Sequence, residues 1–113
     1  MSRSCESPLR IWIDADACPI SIREILFRTG KRLGLETILV ANQSIRVPTS
    51  NLIRVITVRD GANVADQMIV DQMQAGDVVI TGDIPLAAQV VEKNGVAIGT
   101  RGEVYDVGSV QER

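Results

Sequence analysis

The chain has 113 residues, a formal net charge of −2 and no histidine. This length suits one domain with a single core. The near balance of charge does not suggest a protein that coats nucleic acid through bulk positive charge, but it leaves open a local basic rim around an acidic site. Without histidine, the commonest general base and the commonest transition-metal ligand are both missing. Any metal would be held by oxygen atoms, which favours Mg²⁺ or Mn²⁺ over Zn²⁺.

The first residues predict a short flexible N-terminus at 1–9, followed by a single α/β domain at 10–113. The N-terminus has no apolar core of a signal peptide, and no apolar run reaches the roughly 18 residues that a membrane span needs. The cysteines, Cys5 and Cys18, do not form a metal-ligand pattern and fit a reducing compartment. We therefore expect a cytoplasmic protein with no membrane association, and the sequence leaves its oligomeric state open.

Short apolar runs alternate with segments of helical periodicity along the chain. In chain order they predict a strand at 10–13, a helix at 19–33 ending before Gly34, strands at 37–41 and 52–58, a turn at 60–63, a helix at 64–74, a strand at 78–81, a helix at 85–94 and a strand at 96–98. The remainder is predicted as loop, with or without the first turn of another helix. The third strand alternates more than the others, which places it nearer an edge.

Continuous apolar strands alternating with helices predict an α/β fold of three layers. We expect a Rossmann-like domain whose mainly parallel sheet of four to five strands is covered on both faces.

Four aspartates follow the predicted strands or open the helices after them. Asp14 and Asp16 follow the first strand, Asp66 opens the helix after the third, and Asp83 follows the fourth. Ligands of open parallel sheets bind at the carboxyl ends of the strands, so we expect the four at one end. Two like charges 4 Å apart cost about 1 kcal/mol in water and about 4 near a protein surface. The pattern thus predicts a hydrated Mg²⁺ or Mn²⁺ as their positive partner.

A capping role is the alternative for these residues, because Asp at a helix start is often an N-cap. Asp83 before Ile84-Pro85 fits that role, and so does Asp16 before Cys18-Pro19. The other aspartates of turns and polar segments are interpreted as turn or solvated surface residues: Asp60, Asp71, Asp77 and Asp106.

Several polar side chains after the strands are candidates for contacting a phosphate. Asn42, Ser44 and Arg46 follow the second strand, and Arg101 follows the fifth. Arginine suits bidentate phosphate contacts, although the first three residues could equally just close a loop. Cys18 precedes a helix start, yet without a nearby histidine or second cysteine it is interpreted as a packed, unreactive thiol.

Five ordered motifs together resemble a known family: D-A-D-A-C-P (14–19), A-N-Q-S-I-R-V-P (41–48), V-A-D (64–66), G-D-V-V-I-T-G-D-I-P-L-A (76–87) and R-G-E-V-Y (101–105). They resemble the uncharacterised bacterial UPF0178 family, also called DUF188 or YaiI/YqxD. That family is similar to PIN-like domains, which are Rossmann-like nucleases with clustered acids that bind Mg²⁺ or Mn²⁺.

The resemblance implies a role for each matching acid. Asp14 looks like the PIN acid of the first strand, Asp66 like the acid that opens the helix before strand four, and Asp83 like the acid just after that strand. Asp16 belongs to the family's own D-A-D motif. The implied function is a divalent-metal-dependent nuclease, acting on RNA in preference to DNA. The further acid that PIN domains supply from a middle helix has no assigned counterpart here.

Two other hypotheses remain open. In a phosphatase of the haloacid-dehalogenase type, Asp14 would be the nucleophile and Asp16 the acid/base. That mechanism needs a lysine between its second and last motifs, and none lies between Lys31 and Lys93. The third hypothesis is a non-catalytic module that binds metal or nucleic acid.

Overall fold

A computed structural model describes residues 9–59 and 64–105 of the chain. Its strands are β1 Ile11–Asp14, β2 Thr37–Ala41, β3 Ile53–Thr57, β4 Val78–Ile80, β5 Val96–Ile98 and β6 Val104–Tyr105. Its helices are α1 Ile20–Leu33, α2 Val64–Gln72 and α3 Ile84–Glu92, and a 3₁₀ turn spans Ala15–Ala17.

The strands form one sheet in the order β3-β2-β1-β4-β5-β6. The first five strands are parallel, and β6 pairs antiparallel with β5. From β1 the chain builds outward through β2 and β3, then crosses back to β4 on the other side of β1. Ligands of such sheets bind in the crevice at the carboxyl ends of the strands where the order reverses. Here that point lies between the ends of β1 and β4.

The two faces of the sheet bury separate apolar clusters, because successive side chains of a strand point to opposite faces. Trp12 of β1 packs with residues of α2 and α3, whereas Ile11 and Ile13 pack on the face that α1 covers. All four residues of β1 and all five of β2 are buried. The central strands therefore give the loops at their ends a rigid base.

The predicted α/β fold is confirmed, with all five predicted strands and all three predicted helices present. Their ends differ from prediction by at most two residues, and α1 ends at Gly34 with a left-handed φ of 71° as expected. The third strand is indeed at an edge. The predicted flexible N-terminus up to residue 8, the turn at 60–63 and the C-terminal segment 106–113 lie outside the described residues.

The expected strand number of four to five is wrong, because β6 adds a sixth strand. It has only two residues, and such a short segment gives no alternation that a sequence pattern can reveal. Its formation depends on tertiary contacts: the amide of Gly99 donates to the carbonyl of Glu103, and Tyr105 is buried against the α2–α3 side of the sheet.

The interpretation of Asp77 as a turn or surface residue is also wrong. Its carboxylate is buried just before β4, at the amino ends of the strands, whereas the four candidate aspartates lie at the carboxyl ends. It accepts hydrogen bonds from the backbone amides of Arg10 and Gln74 and from the indole of Trp12, at 3.0 to 3.1 Å. It also pairs with the Arg10 guanidinium at 3.2 Å. Asp77 joins the start of β1 to the start of β4.

None of the helices in the described ranges has the length and apolar character needed to cross a bilayer.

Candidate functional site at the switch point

Asp14 lies at the centre of the crevice, as the last residue of β1. Its position on a buried central strand leaves it only 7% exposed. Burial and the neighbouring charges of Asp66 and Asp16 raise its pKa from 3.8 to about 6, with a further contribution from Asp83. A hydrogen bond of 3.4 Å from the Thr81 hydroxyl acts in the opposite direction. The structure therefore brings the four candidate aspartates into one electrostatic cluster.

Asp66 and Asp83 form a close pair within this cluster. Asp66 lies in the first turn of α2, and Asp83 immediately precedes α3. Burial, the charge of Asp83 and a hydrogen bond to the Asp83 side chain together raise the pKa of Asp66. Two carboxyl groups can share such a hydrogen bond only when one of them is protonated. The protonated form of Asp66 is therefore favoured by this neighbour.

The capping interpretation of Asp83 is confirmed. Its Oδ1 accepts a hydrogen bond of 3.0 Å from the amide of Leu86, and Pro85 occupies the first turn of α3. Its own amide donates to the Thr81 hydroxyl at 3.0 Å. The cap and the carboxylate cluster are thus compatible, because one oxygen caps the helix while the side chain lies beside Asp66.

The capping interpretation of Asp16 is wrong. Asp16 lies within the 3₁₀ turn that follows β1, and Pro19 is the N-cap of α1. The Asp16 carboxylate instead accepts a hydrogen bond of 3.1 Å from the backbone amide of Asn42, just after β2. This contact connects the loops at the ends of two adjacent strands and places the charge of Asp16 near Asp14.

Arg23 is a positioning residue that the sequence analysis did not identify. From the first turns of α1, its Nε donates to the carbonyl of Cys18 and its Nη2 to the carbonyl of Ala15, both at 3.1 Å. These bonds fix the turn that carries Asp16. Pro19 is the N-cap of α1 and has no side chain that can cap the helix, which was the only signal in the sequence that another group holds this turn.

The cluster has no cationic partner among the described residues. Arg10 pairs with Asp77 and Arg54 pairs with Glu36, and neither of these ion pairs involves an aspartate of the cluster. No arginine or lysine contributes to the pKa of Asp14. The expected substrate contacts are dispersed around the same end of the sheet: Asn42, Ser44, Arg46 and Arg101 are all exposed.

A metal ligand set is not assembled in the described residues: no group of three or more Asp, Glu or Cys side chains is placed so that it could hold a metal ion. The hydrogen bonds explain this arrangement, since Asp16, Asp83 and Asp14 are each directed toward a protein donor. The chemistry of the donors nevertheless suits a hard cation, because carboxylate oxygens are the ligands that Mg²⁺ and Mn²⁺ favour. Binding would require these side chains to turn toward a common point.

Cys18 is a free and buried cysteine, 4% exposed. Burial raises the pKa of its thiol, and the opposing charge of Arg23 lowers it less. The thiol therefore stays protonated at neutral pH, in agreement with the interpretation of a packed, unreactive cysteine.

The chain matches a described protein family over most of its length. Residues 12–113 match DUF188, described as an uncharacterised YaiI/YqxD family. No solved structure matches the chain. The match over residues 12–113 establishes the family, whereas a relationship to PIN-like domains is not established.

Three curated relatives are all named UPF0178 protein. The one from Shewanella sediminis (strain HAW-EB3) is 52% identical over 91% of this chain and 69% of its own length. The one from Shewanella piezotolerans (strain WP3 / JCM 13877) is 54% identical over 86% and 64%. The one from Halorhodospira halophila (strain DSM 244 / SL1) is 55% identical over 93% and 70%. The chain spans about two thirds of the length of these relatives, and it belongs to the DUF188, or UPF0178, family.

Proposed function

We propose that this protein is a divalent-metal-dependent nuclease that hydrolyses phosphodiester bonds. In this proposal Asp14, Asp16, Asp66 and Asp83 bind Mg²⁺ or Mn²⁺, and Asp14, Asp66 and Asp83 are catalytic. One observation carries it: Asp14 is buried at the end of β1 beside Asp66, Asp16 and Asp83, in the crevice where parallel sheets bind ligands, and its burial and these neighbouring charges raise its pKa to about 6. Strongly perturbed carboxyl groups in a crevice are typical of functional sites.

A bound divalent cation would supply a water of lowered pKa and stabilise negative charge on the phosphate. The residues of the chain would position that chemistry. Asp14 is fixed by the buried strand β1, and Asp83 is held through its hydrogen bond to the Leu86 amide. Asp14 and Asp66, whose pKa values are raised, must be ionised to become ligands, so metal binding should weaken as the pH falls.

RNA is the proposed substrate in preference to DNA, by analogy with PIN-like domains. A cytoplasmic location is proposed with it. Function is determined by the chemistry of the site, which can be tested directly.

Cleavage of labelled single-stranded RNA and DNA with Mn²⁺ or Mg²⁺ tests the proposed reaction. The comparison includes Asp14→Asn and the control Asp71→Asn, which changes an exposed aspartate of α2 whose Oδ1 accepts a hydrogen bond from the Gln67 side chain. We expect cleavage by the native chain and the control, and background rates with Asp14→Asn. Equal cleavage by Asp14→Asn, or none by the native chain with either metal, would contradict a nuclease centred on Asp14.

The phosphatase hypothesis makes a different prediction about the same residue. It requires a covalent phosphoryl intermediate on Asp14, which a metal-dependent nuclease does not form. Capture of an aspartyl-phosphate analogue on Asp14 would therefore support the phosphatase. Saturable metal binding without cleavage of any phosphoester would favour the non-catalytic module.

A further inference from the structure

A groove runs along one side of α1, between that helix and residues 45–52 of the segment that connects β2 to β3. It consists of three depressions that share Phe27 and Pro48, and the largest has a volume of about 490 Å³. The helix residues that line it recur at spacings of three or four, so they form one stripe on the helix surface. From Ile20 to Lys31 this stripe is about 17 Å long, at 1.5 Å per residue.

The charged lining of this α1 groove is mainly positive. Its cationic side chains are Arg23, Arg28, Lys31 and Arg46, and Glu24 is its only acid. This gives the lining a net charge of +3 (four cations less one anion), in a chain whose total charge is −2. A strip of net positive charge on a protein of negative net charge attracts an anionic ligand to that surface.

The three depressions share an apolar surface, and Glu24 and Arg28 line the depression around it. Phe27, the only phenylalanine of the chain, is half-buried there beside the exposed Pro48. Arg28 and Lys31 line the groove on one side of this pair, and Arg46 lines it on the other. An aromatic surface flanked by cations is the arrangement on which single-stranded nucleic acids stack a base and bind their phosphates.

One end of the α1 groove adjoins the loops of the carboxylate site. Arg23, in the groove lining, donates to the carbonyls of Ala15 and Cys18, which flank Asp16. Asp16 accepts from the amide of Asn42, only four residues before Arg46. A strand lying in the groove would consequently end beside the loops that carry Asp16.

We propose that the α1 groove binds single-stranded nucleic acid, with Arg28, Lys31 and Arg46 on the phosphates and Phe27 against a base. This assignment deepens the proposed function, and it rests on that function for the cleavage of the bound nucleic acid at the carboxylate site. Binding itself requires neither metal nor cleavage. The two proposals can therefore fail separately.

Fluorescence anisotropy with a labelled oligouridylate or oligothymidylate of about ten nucleotides tests the groove. The titrations use Asp14→Asn with EDTA, so that nothing is cut. Into this background we introduce Arg28→Glu, Lys31→Glu and Arg46→Glu together, or Phe27→Leu alone. The control is Arg32→Glu, which reverses the charge of one exposed arginine on α1 outside the groove lining. Circular dichroism checks that each variant is folded.

We expect the triple variant to bind the oligonucleotide at least about tenfold more weakly. Its affinity should also depend less steeply on salt concentration. The slope of log K against log salt changes by about 0.7 for each single-strand phosphate contact, so three lost contacts should reduce it by about 2. Phe27→Leu should weaken binding about fivefold through lost stacking. The Arg32→Glu control should stay close to the parent. If the triple variant does not fold, Phe27→Leu and Arg46→Gln provide the same test singly.

Four results would overturn the groove assignment. They are unchanged binding by both the triple variant and Phe27→Leu, an equal loss in Arg32→Glu, tighter binding of a duplex of the same sequence, and competition by polyglutamate at the same charge concentration. The last result would assign the groove to an acidic protein partner. Groove-dependent binding by a native chain that cleaves nothing would support the groove and contradict the nuclease. Cleavage without groove-dependent binding would support the nuclease and contradict the groove assignment.

Discussion

The hydroxyl of Thr81, directly after β4, donates a hydrogen bond of 3.4 Å to Oδ2 of Asp14, at the end of β1. Thr81 is fully buried and also accepts from the amide of Asp83. One side chain therefore links two carboxylates across the point where the strand order reverses. This hydrogen bond favours the ionised form of Asp14. Burial and three neighbouring aspartates act in the opposite direction and raise the pKa of Asp14.

Thr81→Val should raise the pKa of Asp14 above about 6, because it removes the donor that stabilises the carboxylate at nearly constant volume. It should also cost about 1 to 2 kcal/mol of stability, since the Asp83 amide loses its acceptor. Carboxyl carbon NMR titration and urea unfolding measure the two effects. Thr81→Ser keeps the hydroxyl and serves as the control. An unchanged or lower pKa in Thr81→Val would show that this contact does not stabilise the charge.

Asp14→Asn should stabilise the metal-free chain at about pH 8 and lose this advantage near pH 4. The pKa of Asp14 rises from 3.8 to about 6 on folding, so the folded chain binds this proton more tightly than the unfolded chain. Ionisation of Asp14 therefore opposes folding, increasingly as the pH rises from about 4 to about 6. At higher pH the penalty is complete, at about 1 to 3 kcal/mol after allowance for solvent screening at the crevice.

Urea unfolding of both chains across this pH range measures the difference. Effects of pH that are common to the two chains cancel in the comparison. A stability difference that does not change with pH would contradict the raised pKa of Asp14.

Substitutions of Asp83 should separate its role as a cap from its role in the cluster. Asp83→Ala removes the acceptor for the Leu86 amide and should destabilise the chain by about 1 kcal/mol relative to Asp83→Ser, which retains a capping oxygen. Both variants should lose any metal response, because neither has a carboxylate. Thermal unfolding with and without Mn²⁺ measures both properties. A full metal response in Asp83→Ser would remove Asp83 from the proposed ligands.

Asp77→Asn should destabilise the protein by about 3 kcal/mol, because it leaves the half-buried Arg10 without its carboxylate partner. The indole of Trp12 donates to the same Oδ2 atom at 3.0 Å, so the emission of this single tryptophan reports the change. The metal response should be retained, since Asp77 lies at the opposite edge of the sheet from Asp14. A stable variant with altered metal binding would contradict a purely structural role.

The fold was predictable where a local pattern determines the structure. Continuous apolar runs specify the buried strands β1 and β2, and Gly34 and Asp83 mark helix ends through chemistry that is visible in the sequence. Strand β6 was not predictable, because its two residues form a strand only through pairing with β5.

The sequence was sufficient to predict which aspartates lie together in the candidate site, but it did not predict their hydrogen-bond contacts. Parallel strands place their carboxyl ends at one edge, which is why Asp14, Asp66 and Asp83 could be grouped before their positions were known. The buried role of Asp77 depends on Trp12, a partner 65 residues away along the chain. The contact of Asp16 with the Asn42 amide likewise depends on strand packing, and no local pattern indicates it.

Titration of Mn²⁺ against the melting temperature of the native chain, Asp14→Asn and Asp71→Asn is the most direct test of a metal site at the ends of β1 and β4. The titration is run at about pH 8, where Asp14 is ionised. A ligand that binds only the folded state adds about 2.7 kcal/mol of stability at 100 times its dissociation constant. We predict a saturable rise for the native chain and Asp71→Asn that Asp14→Asn abolishes. No rise up to millimolar Mn²⁺, or an equal rise in Asp14→Asn, would contradict the proposed metal site.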